Sequence, residues 1–376
     1  MAASKDYMNT LQRISLSGFK SIREVKDLEF RQLNVLIGAN GAGKSNLISF
    51  FKLLNFAMTN SLKEYVARTG YANSLLHLGS QQTKQITAAL AFRMNRGTNI
   101  YELTLSQAAG DSLIFTEESV TWHEDEHPRG PRKTVLGVGV EKTLLIEPTR
   151  QNDPTVKIVR ALLAGTRVYQ FHDTSSASPL RSKWKVDDNH YLFDHGGNLA
   201  PVLYYLREQR RPTYDIIVST IQQGVPFFED FSLQPDRLNP TVIDLRWREK
   251  GATYEFGPHQ ISDGTLRFMA LVTLLSLPRE DRPGIMIIDE PELGLHPSAI
   301  GILADLLGVA SAASQVIVST QSVTLVNQLS PDDVIVVDRE DGQSVFRRLD
   351  QDALKDWLAE YSMGELWEKN VLGGRP

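Results

Sequence analysis

Residues 33–51, LNVLIGANGAGKSNLISFF, run an apolar strand straight into a glycine-rich turn and then an apolar helix. A chain that turns this tightly points successive backbone N–H groups inward. Glycines at 38, 41 and 43 permit the required backbone angles and keep Cβ atoms away from an approaching anion. The run Gly38-Ala39-Asn40-Gly41-Ala42-Gly43-Lys44-Ser45 fits the phosphate-cradling pattern G-x-x-x-x-G-K-S/T. In that pattern Lys44 charges the β- and γ-phosphates, Ser45 offers its hydroxyl to Mg²⁺, and the helix from Asn46 presents its positive end. The expected ligands are ATP and Mg²⁺, with Gly38, Asn40, Gly41, Ala42, Gly43, Lys44, Ser45 and Asn46 as candidate contacts.

Such a loop needs an acidic counterpart. Residues 285–290, Ile-Met-Ile-Ile-Asp-Glu, read as a buried strand ending in two carboxylates. Asp289 is placed to hold the Mg²⁺ shell, through water, and Glu290 to polarise an attacking water.

Just upstream, HQISDGTLRFMALVTLLSL (259–277) is a polar turn, Ser262-Asp263-Gly264, feeding an apolar helix. A helix N-terminus with a hydroxyl and N–H groups suits a γ-phosphate. Ser262 and Gly264 match the Ser and second Gly of an LSGGQ-type signature, and Asp263 stands where the first Gly is usual. In this order, with ISLSGFKSIREVKDLEFRQLNVLIGANGAGKSNLI (14–48) at the front, these motifs resemble the RecF/SMC/OLD branch of ABC-type ATPases, also classed as AAA-type.

The resemblance covers nearly the whole chain. It implies an α/β P-loop ATPase head: a mixed central sheet flanked by helices, an antiparallel β-lobe and a helical insertion. Phe19-Lys20-Ser21 matches a stretch near the nucleotide in such proteins, which adds Lys20 and Ser21 to the binding candidates. PELGLHPSAI (291–300) resembles the D-loop, and QVIVSTQSVTLV (315–326) takes the place of the switch strand. Most relatives have Thr-His-Ser there, and this chain has Thr320-Gln321-Ser322. Gln321 can hydrogen-bond a γ-phosphate but cannot carry a proton. A strand-ending glutamine contacts metal and water in ABC heads, and Gln170 is the candidate here, with His172 and Asp173 close behind. The resemblance also implies that Ser262 and Gly264 complete the ATP site of a second copy, giving an ATP-sandwiched homodimer.

The expected segments are an N-terminal lobe (11–150), a mainly helical insertion (151–235), a C-terminal lobe (236–350) and a closing helix with tail (351–376). Residues 86–122 alternate apolar and polar with turns at 95–97 and 109–111, an antiparallel meander. Residues 123–155 are expected to be irregular, and 156–170 a short helix then a strand. Two amphipathic helices in 196–222 are broken at Pro212, and 241–256 and 333–349 read as hairpins, the second with an Asp-Gly turn. The closing helix 351–369 carries Leu354, Trp357, Leu358, Tyr361 and Leu366 at helical spacing, for packing on the head or a partner. Prolines at 128, 131, 148, 154, 179, 201 and 212 exclude a long coiled coil between loop and signature. About 25 residues follow the last hairpin, too few for a TOPRIM nuclease domain in this chain.

The chain has no cysteine, which removes disulfides and Cys-based zinc sites and fits a reducing cytoplasm. Its first residues, MAASKDYMNTLQR, lack an apolar signal-peptide core, and its longest apolar runs fall short of the ~20 residues of a membrane helix. A cytoplasmic protein without membrane contact is expected. The net charge of −5 gives no basic field over the molecule, although local groups exist at Arg129-Arg132-Lys133, Arg207-Arg210-Arg211 and Arg246-Arg248-Lys250.

Three readings remain open. In the first, an ATPase dimer switches a separate effector, such as a TOPRIM-type nuclease, in anti-phage defence or genome maintenance. The second is a RecF-like repair ATPase that binds DNA. The third is a nucleotide-binding scaffold with little turnover. Acidic clusters at Glu124-Asp125-Glu126 and Asp187-Asp188 fall in expected loops, so the chain itself is not expected to cut nucleic acid.

Overall fold

The computed structural model describes residues 10–125 and 130–375. Glu126, Pro128 and Arg129 lie outside them, as do the first nine residues. The chain forms two compact units. One takes residues up to Val168, Gly284–Ile287 and the chain from Ser330; the other takes Tyr169–Pro283 and Ile288–Leu329.

The first unit carries an antiparallel sheet in the order Ile22–Glu29, Thr10–Phe19, Gln85–Met94, Gly97–Ala108, Ser112–Glu124, Arg132–Gly137. Its middle is the expected meander. The two leading strands extend it, and Arg132–Gly137 is a strand inside the stretch expected to be irregular. That strand lies at the edge of the sheet and pairs antiparallel with the strand just before it, Trp122 opposite Arg132. Gly97 opens its strand because a Cβ there would lie 2.7 Å from the Trp122 ring.

In the same unit Leu33–Ile37, buried at every residue, pairs in parallel with Val334–Glu340, which pairs antiparallel with Gln343–Arg348. The hairpin between the last two turns on Asp341 and Gly342, both at positive φ (48° and 78°), as a two-residue Asp-Gly turn requires. Helix Lys44–Met58 buries Leu47, Ile48, Phe50, Phe51, Leu53 and Leu54, and Phe50 meets Phe19 edge-on with centroids 5.6 Å apart.

The expected closing helix is two helices, Gln351–Leu358 and Met363–Glu368. The break is a capping box in which Ser362 and Glu365 satisfy each other's backbone N–H groups. The first helix buries none of its residues and leaves Trp357 exposed. The second sinks Leu366 and Trp367 completely, and Trp367 Nε1 donates to Gly374 O.

The second unit is mainly helical. Leu199–Gln209 and Arg211–Gly224 are separate helices, with Pro212 in the first turn of the second, where its missing N–H costs nothing. Asp263–Ser276 is the central helix, buried from Phe268 to Leu275, and Pro297–Ser311 packs one face. Only part of the hairpin expected at 241–256 forms. Trp247–Glu249 pairs with Glu255–Phe256, whereas Val242–Ile243 pairs with Trp184–Lys185. Among the described residues, no helix is long and apolar enough to cross a membrane.

Candidate functional site

The candidate residues fall into two clusters, one in each unit. The first is the glycine loop. Gly38, Gly41 and Gly43 all have positive φ (156°, 79° and 120°), a conformation that side chains resist. Two of them are also needed by the protein itself. A Cβ on Gly38 would lie 2.2 Å from Val337 O, and one on Gly43 would lie 2.0 Å from Ser344 Oγ and 2.8 Å from Ser21 Oγ. Only Gly41 opens onto free space.

Ser344, from strand Gln343–Arg348, gave no signal in the sequence, yet it buttresses the loop. Its hydroxyl donates to Ala42 O at 2.5 Å and lies 2.6 Å from Ser21 Oγ. Asn46 Nδ2 donates to Ser21 Oγ at 2.6 Å, so Ser21, Asn46 and Ser344 form one bracket behind the turn. The expected roles of Ser21 and Asn46 at the nucleotide thus begin as support for the loop. Ala42 N–H donates to Ala39 O at 3.1 Å, which closes the turn around Asn40 and Gly41.

The Lys44 ammonium rests on the carbonyls of Gly38 and Ala39. It is buried, so an anion entering the loop replaces neutral acceptors with a charged one. Ser45 stands in the first turn of the helix, whose N-terminal end carries partial positive charge. Lys20, at φ 48°, is drawn below the ordinary lysine value by burial and then by the Lys52 charge.

The second cluster gathers around the end of strand Ile285–Asp289. Asp289 is buried and accepts at both oxygens. Gln170 Nε2 donates to Oδ2 at 2.7 Å and Ser319 Oγ donates to Oδ1. His172, two residues past Gln170 and on the same side of the chain, puts Nε2 2.9 Å from Asp289 O. Asp173 turns away to cap Ser175.

Glu290 follows at φ 45°, rare for a residue with a side chain, and its N–H reaches Ser319 O at 3.0 Å. Its carboxylate accepts from Gln321 Nε2. The two adjacent carboxylates therefore have different partners, Gln170 and Ser319 for one and Gln321 for the other.

Ser262 caps helix Asp263–Ser276. Its Oγ accepts from Thr265 N at 3.2 Å and lies 2.8 Å from Thr265 Oγ1. The hydroxyl expected to suit a γ-phosphate is thus engaged by its own helix. Gly264 has a steric reason: a Cβ there would lie 2.2 Å from Gly294 O in the turn after Glu290.

Two arginines were missed. Arg181, buried, donates to the carbonyls of Thr174, Pro258 and Ile261 and to Asp263 Oδ1 at 2.7 Å, which accounts for an aspartate at the usual glycine position. Arg267 donates to Phe171 O (2.9 Å), His172 O (2.8 Å) and Leu293 O (3.0 Å). It ties the signature helix to both the Gln170 segment and the turn after Glu290. Its only sequence signal was a charge inside an apolar helix.

Hard oxygen donors suit Mg²⁺, which binds through one or two carboxylates plus substrate phosphates. Asp289 is such a carboxylate in the second unit, and Ser45 carries a hydroxyl oxygen in the first. Among the described residues, no cluster of three or more His, Asp or Glu is arranged as a metal site of its own.

Residues 33–327 match the family described as "AAA domain, putative AbiEii toxin, Type IV TA system". This chain belongs to that family. Among curated relatives, an OLD nuclease of Thermus scotoductus is 22% identical over 94% of this chain and 67% of its own length. The Old nuclease of Escherichia phage P2 is 22% identical over 90% of this chain and 61% of itself. An energy-coupling factor transporter ATP-binding protein EcfA of Methanosphaera stadtmanae is 28% identical over 46% and 63%. The chain thus spans about two thirds of the length of these relatives.

In fold it is similar to an Smc head bound to the C-winged helix domain of ScpA, with a TM-score of 0.60, 17% identity, and 92% of this chain and 99% of that one covered. It is also similar to an Smc head with an extended coiled coil bound to the C-terminal domain of ScpA from Pyrococcus furiosus (TM-score 0.58, 16% identity, 94% and 99% covered). The AAA-domain chain is therefore an SMC-head-like P-loop ATPase fold, mixed α/β with an antiparallel sheet, and no coiled coil is evident among the described residues.

Proposed function

We propose that this chain binds ATP with Mg²⁺, hydrolyses it, and uses the cycle of an ATP-sandwiched homodimer to switch a separate effector. The observation that carries the reading is the division of partners at Asp289 and Glu290. Asp289, held by Gln170 and Ser319, is presented as a fixed anion for a hydrated cation. Glu290 accepts from the neutral amide of Gln321, which aims its carboxylate without a charged partner.

In this reading the glycine loop takes the phosphates and Lys44 passes from the Gly38 and Ala39 carbonyls to the β- and γ-oxygens. Bound Mg²⁺ neutralises phosphate charge. Glu290 accepts the proton of a water as its oxygen attacks the γ-phosphorus, the bond from that phosphorus to the β–γ bridging oxygen breaks and ADP leaves, and Gln321 fixes the orientation of the carboxylate. Ser262 and Gly264 serve the site of a second copy. The effector is a protein such as a TOPRIM-type nuclease, which the OLD-type relatives favour, and the setting is anti-phage defence or genome maintenance in the cytoplasm.

A RecF-like DNA-binding role is the second reading, and one observation weighs against it. Arg207, Arg210, Arg211, Arg246 and Arg248 all pair with carboxylates, Glu208, Glu280, Asp215, Asp244 and Glu229 respectively, and so present a neutralised surface. A low-turnover scaffold is the third.

Phosphate release tests the reading. Lys44→Ala should bind no ATP, and Glu290→Gln should bind ATP while turnover falls by about 10²-fold or more. In light scattering Glu290→Gln with ATP should run as a dimer, and adding Ser262→Arg should return it to monomer. A Glu290→Gln variant with wild-type turnover sinks the assignment. Full activity in a monomeric Ser262→Arg sinks the dimer. DNA affinity falling steeply with salt would favour the second reading.

A further inference from the structure

We propose that Glu292 is a positioning residue, which holds the Thr320–Gln321 end of the switch strand where Gln321 can grip Glu290. What that grip serves rests on the ATPase reading above. Glu292 Oε1 accepts two hydrogen bonds, from Thr320 Oγ1 at 2.6 Å and from the Gln321 backbone N–H at 3.0 Å. The Gln321 side chain then donates Nε2 to Glu290 Oε1. The path starts at Glu292, passes through Gln321 and returns to Glu290, two residues earlier in the same turn.

Both ends of this path are fixed. Glu290 is set by its φ of 45° and by its N–H to Ser319 O, and the turn is closed by Leu293 N–H to Glu290 O at 3.3 Å. On the other side Thr320 Oγ1 accepts from Ser322 N at 3.0 Å, where helix Val323–Val326 begins. With its backbone N–H committed to Glu292, Gln321 has its side chain aimed back at Glu290.

Two further features set Glu292 apart from a solvated turn residue. Its Oε2 is buried without a hydrogen-bond partner among the described residues. Burial raises its carboxyl above the ordinary glutamate value against the lowering effect of the Thr320 and Gln321 bonds, and the Glu290 charge raises it further. Its Oε1 accepts from two donors, a role that an uncharged amide oxygen can also fill.

That distinction makes the test. Glu292→Gln keeps one acceptor oxygen, Glu292→Asp keeps the charge but shortens the reach, and Glu292→Ala removes both. Glu292→Asp and Glu292→Ala should lower kcat about tenfold or more with KM for ATP within about twofold, while Glu292→Gln stays near wild type. The loss in Glu292→Ala and in Gln321→Ala should not add in the double variant, because both break one path. Hydrogen exchange without nucleotide gives a second readout. The Gln321 amide should exchange about tenfold faster or more in Glu292→Asp and Glu292→Ala, and at the wild-type rate in Glu292→Gln.

If Glu292→Ala does not fold, the Asp and Gln variants carry the comparison. Wild-type kcat in Glu292→Asp, additive losses, or unchanged Gln321 exchange overturns the proposal. A wild-type chain that hydrolyses no ATP would sink the ATPase reading instead, and the exchange measurement would still decide the role of Glu292.

Discussion

Gln170 Nε2 donates to Asp289 Oδ2 across 2.7 Å, joining two side chains 119 positions apart in the chain. The bond orients the carboxylate from behind, and the amide carbonyl is the end of Gln170 with the chemistry to face a hydrated cation. Partners of this kind typically change activity by about 10–100-fold when removed. Gln170→Ala should therefore lower kcat within that range and leave ATP affinity within a few-fold. An unchanged kcat in steady-state phosphate release would remove Gln170 from the site.

Gly43 should not tolerate even alanine. The added Cβ meets Ser344 Oγ and Ser21 Oγ, and φ at 120° is strained for any side chain, at about 1–3 kcal/mol. Gly43→Ala should weaken binding of a fluorescent ATP analogue by about tenfold or more, since 1.4 kcal/mol is a factor of ten. Gly41→Ala has open space and should lose less. The reverse order would show that contact with the protein does not govern the loop.

The Arg181–Asp263 pair is asymmetric, with side-chain exposures of 6% and 62%. Asp263→Gly restores the usual signature residue and leaves Arg181 its three carbonyl partners, so the loss should be no more than about 1 kcal/mol. Arg181→Met orphans the carbonyls of Thr174, Pro258 and Ile261 and should cost about 2–4 kcal/mol. Urea unfolding of both variants checks the order, and equal losses would mean that the ion pair dominates.

Glu118 is buried and accepts from Tyr101 Oη at 2.7 Å, from Thr143 Oγ1 and from Leu144 N at 2.8 Å. Burial raises its carboxyl above the ordinary value of 4.5 despite these donors. A raised folded pKa means that the native state holds the proton more tightly than the unfolded chain. The resulting stabilisation is fully present below the unfolded pKa and is lost as pH rises through the folded one. The stability of the wild type relative to Glu118→Gln should thus be greatest below about pH 4.5 and decline upward from there. Denaturant midpoints at several pH values read this directly, and a flat or rising difference refutes it.

No nucleic-acid cleavage is expected from the chain alone, because a hydrolytic nuclease generally needs a cluster of carboxylates holding one or two metals. Asp289 and Glu290 are assigned to ATP in our proposal. Incubation with Mg²⁺ or Mn²⁺, ATP, and plasmid, linear or single-stranded DNA or RNA is the check. Cleavage that follows the protein peak and survives Lys44→Ala would reveal a separate centre.

Local order along the chain carried the glycine loop, the strand ending in Asp289-Glu290, the meander and the paired helices, the second with Pro212 in its first turn. These are features of spacing and turn chemistry, written within a few residues of each other. Even the split in the closing helix was local, because Ser362 and Glu365 have the spacing of a capping box. Tertiary structure alone decided which distant side chains meet. Ser344 stands 323 positions from Ser21 and braces the glycine loop. Arg181 finds Asp263, Arg267 finds the carbonyls of Phe171 and Leu293, and Glu292 finds Gln321. Such contacts leave no period in the sequence, because one hydrogen bond constrains a single position at each end. A helix face or a strand repeats its demand every few residues, and that repetition is what a sequence can display.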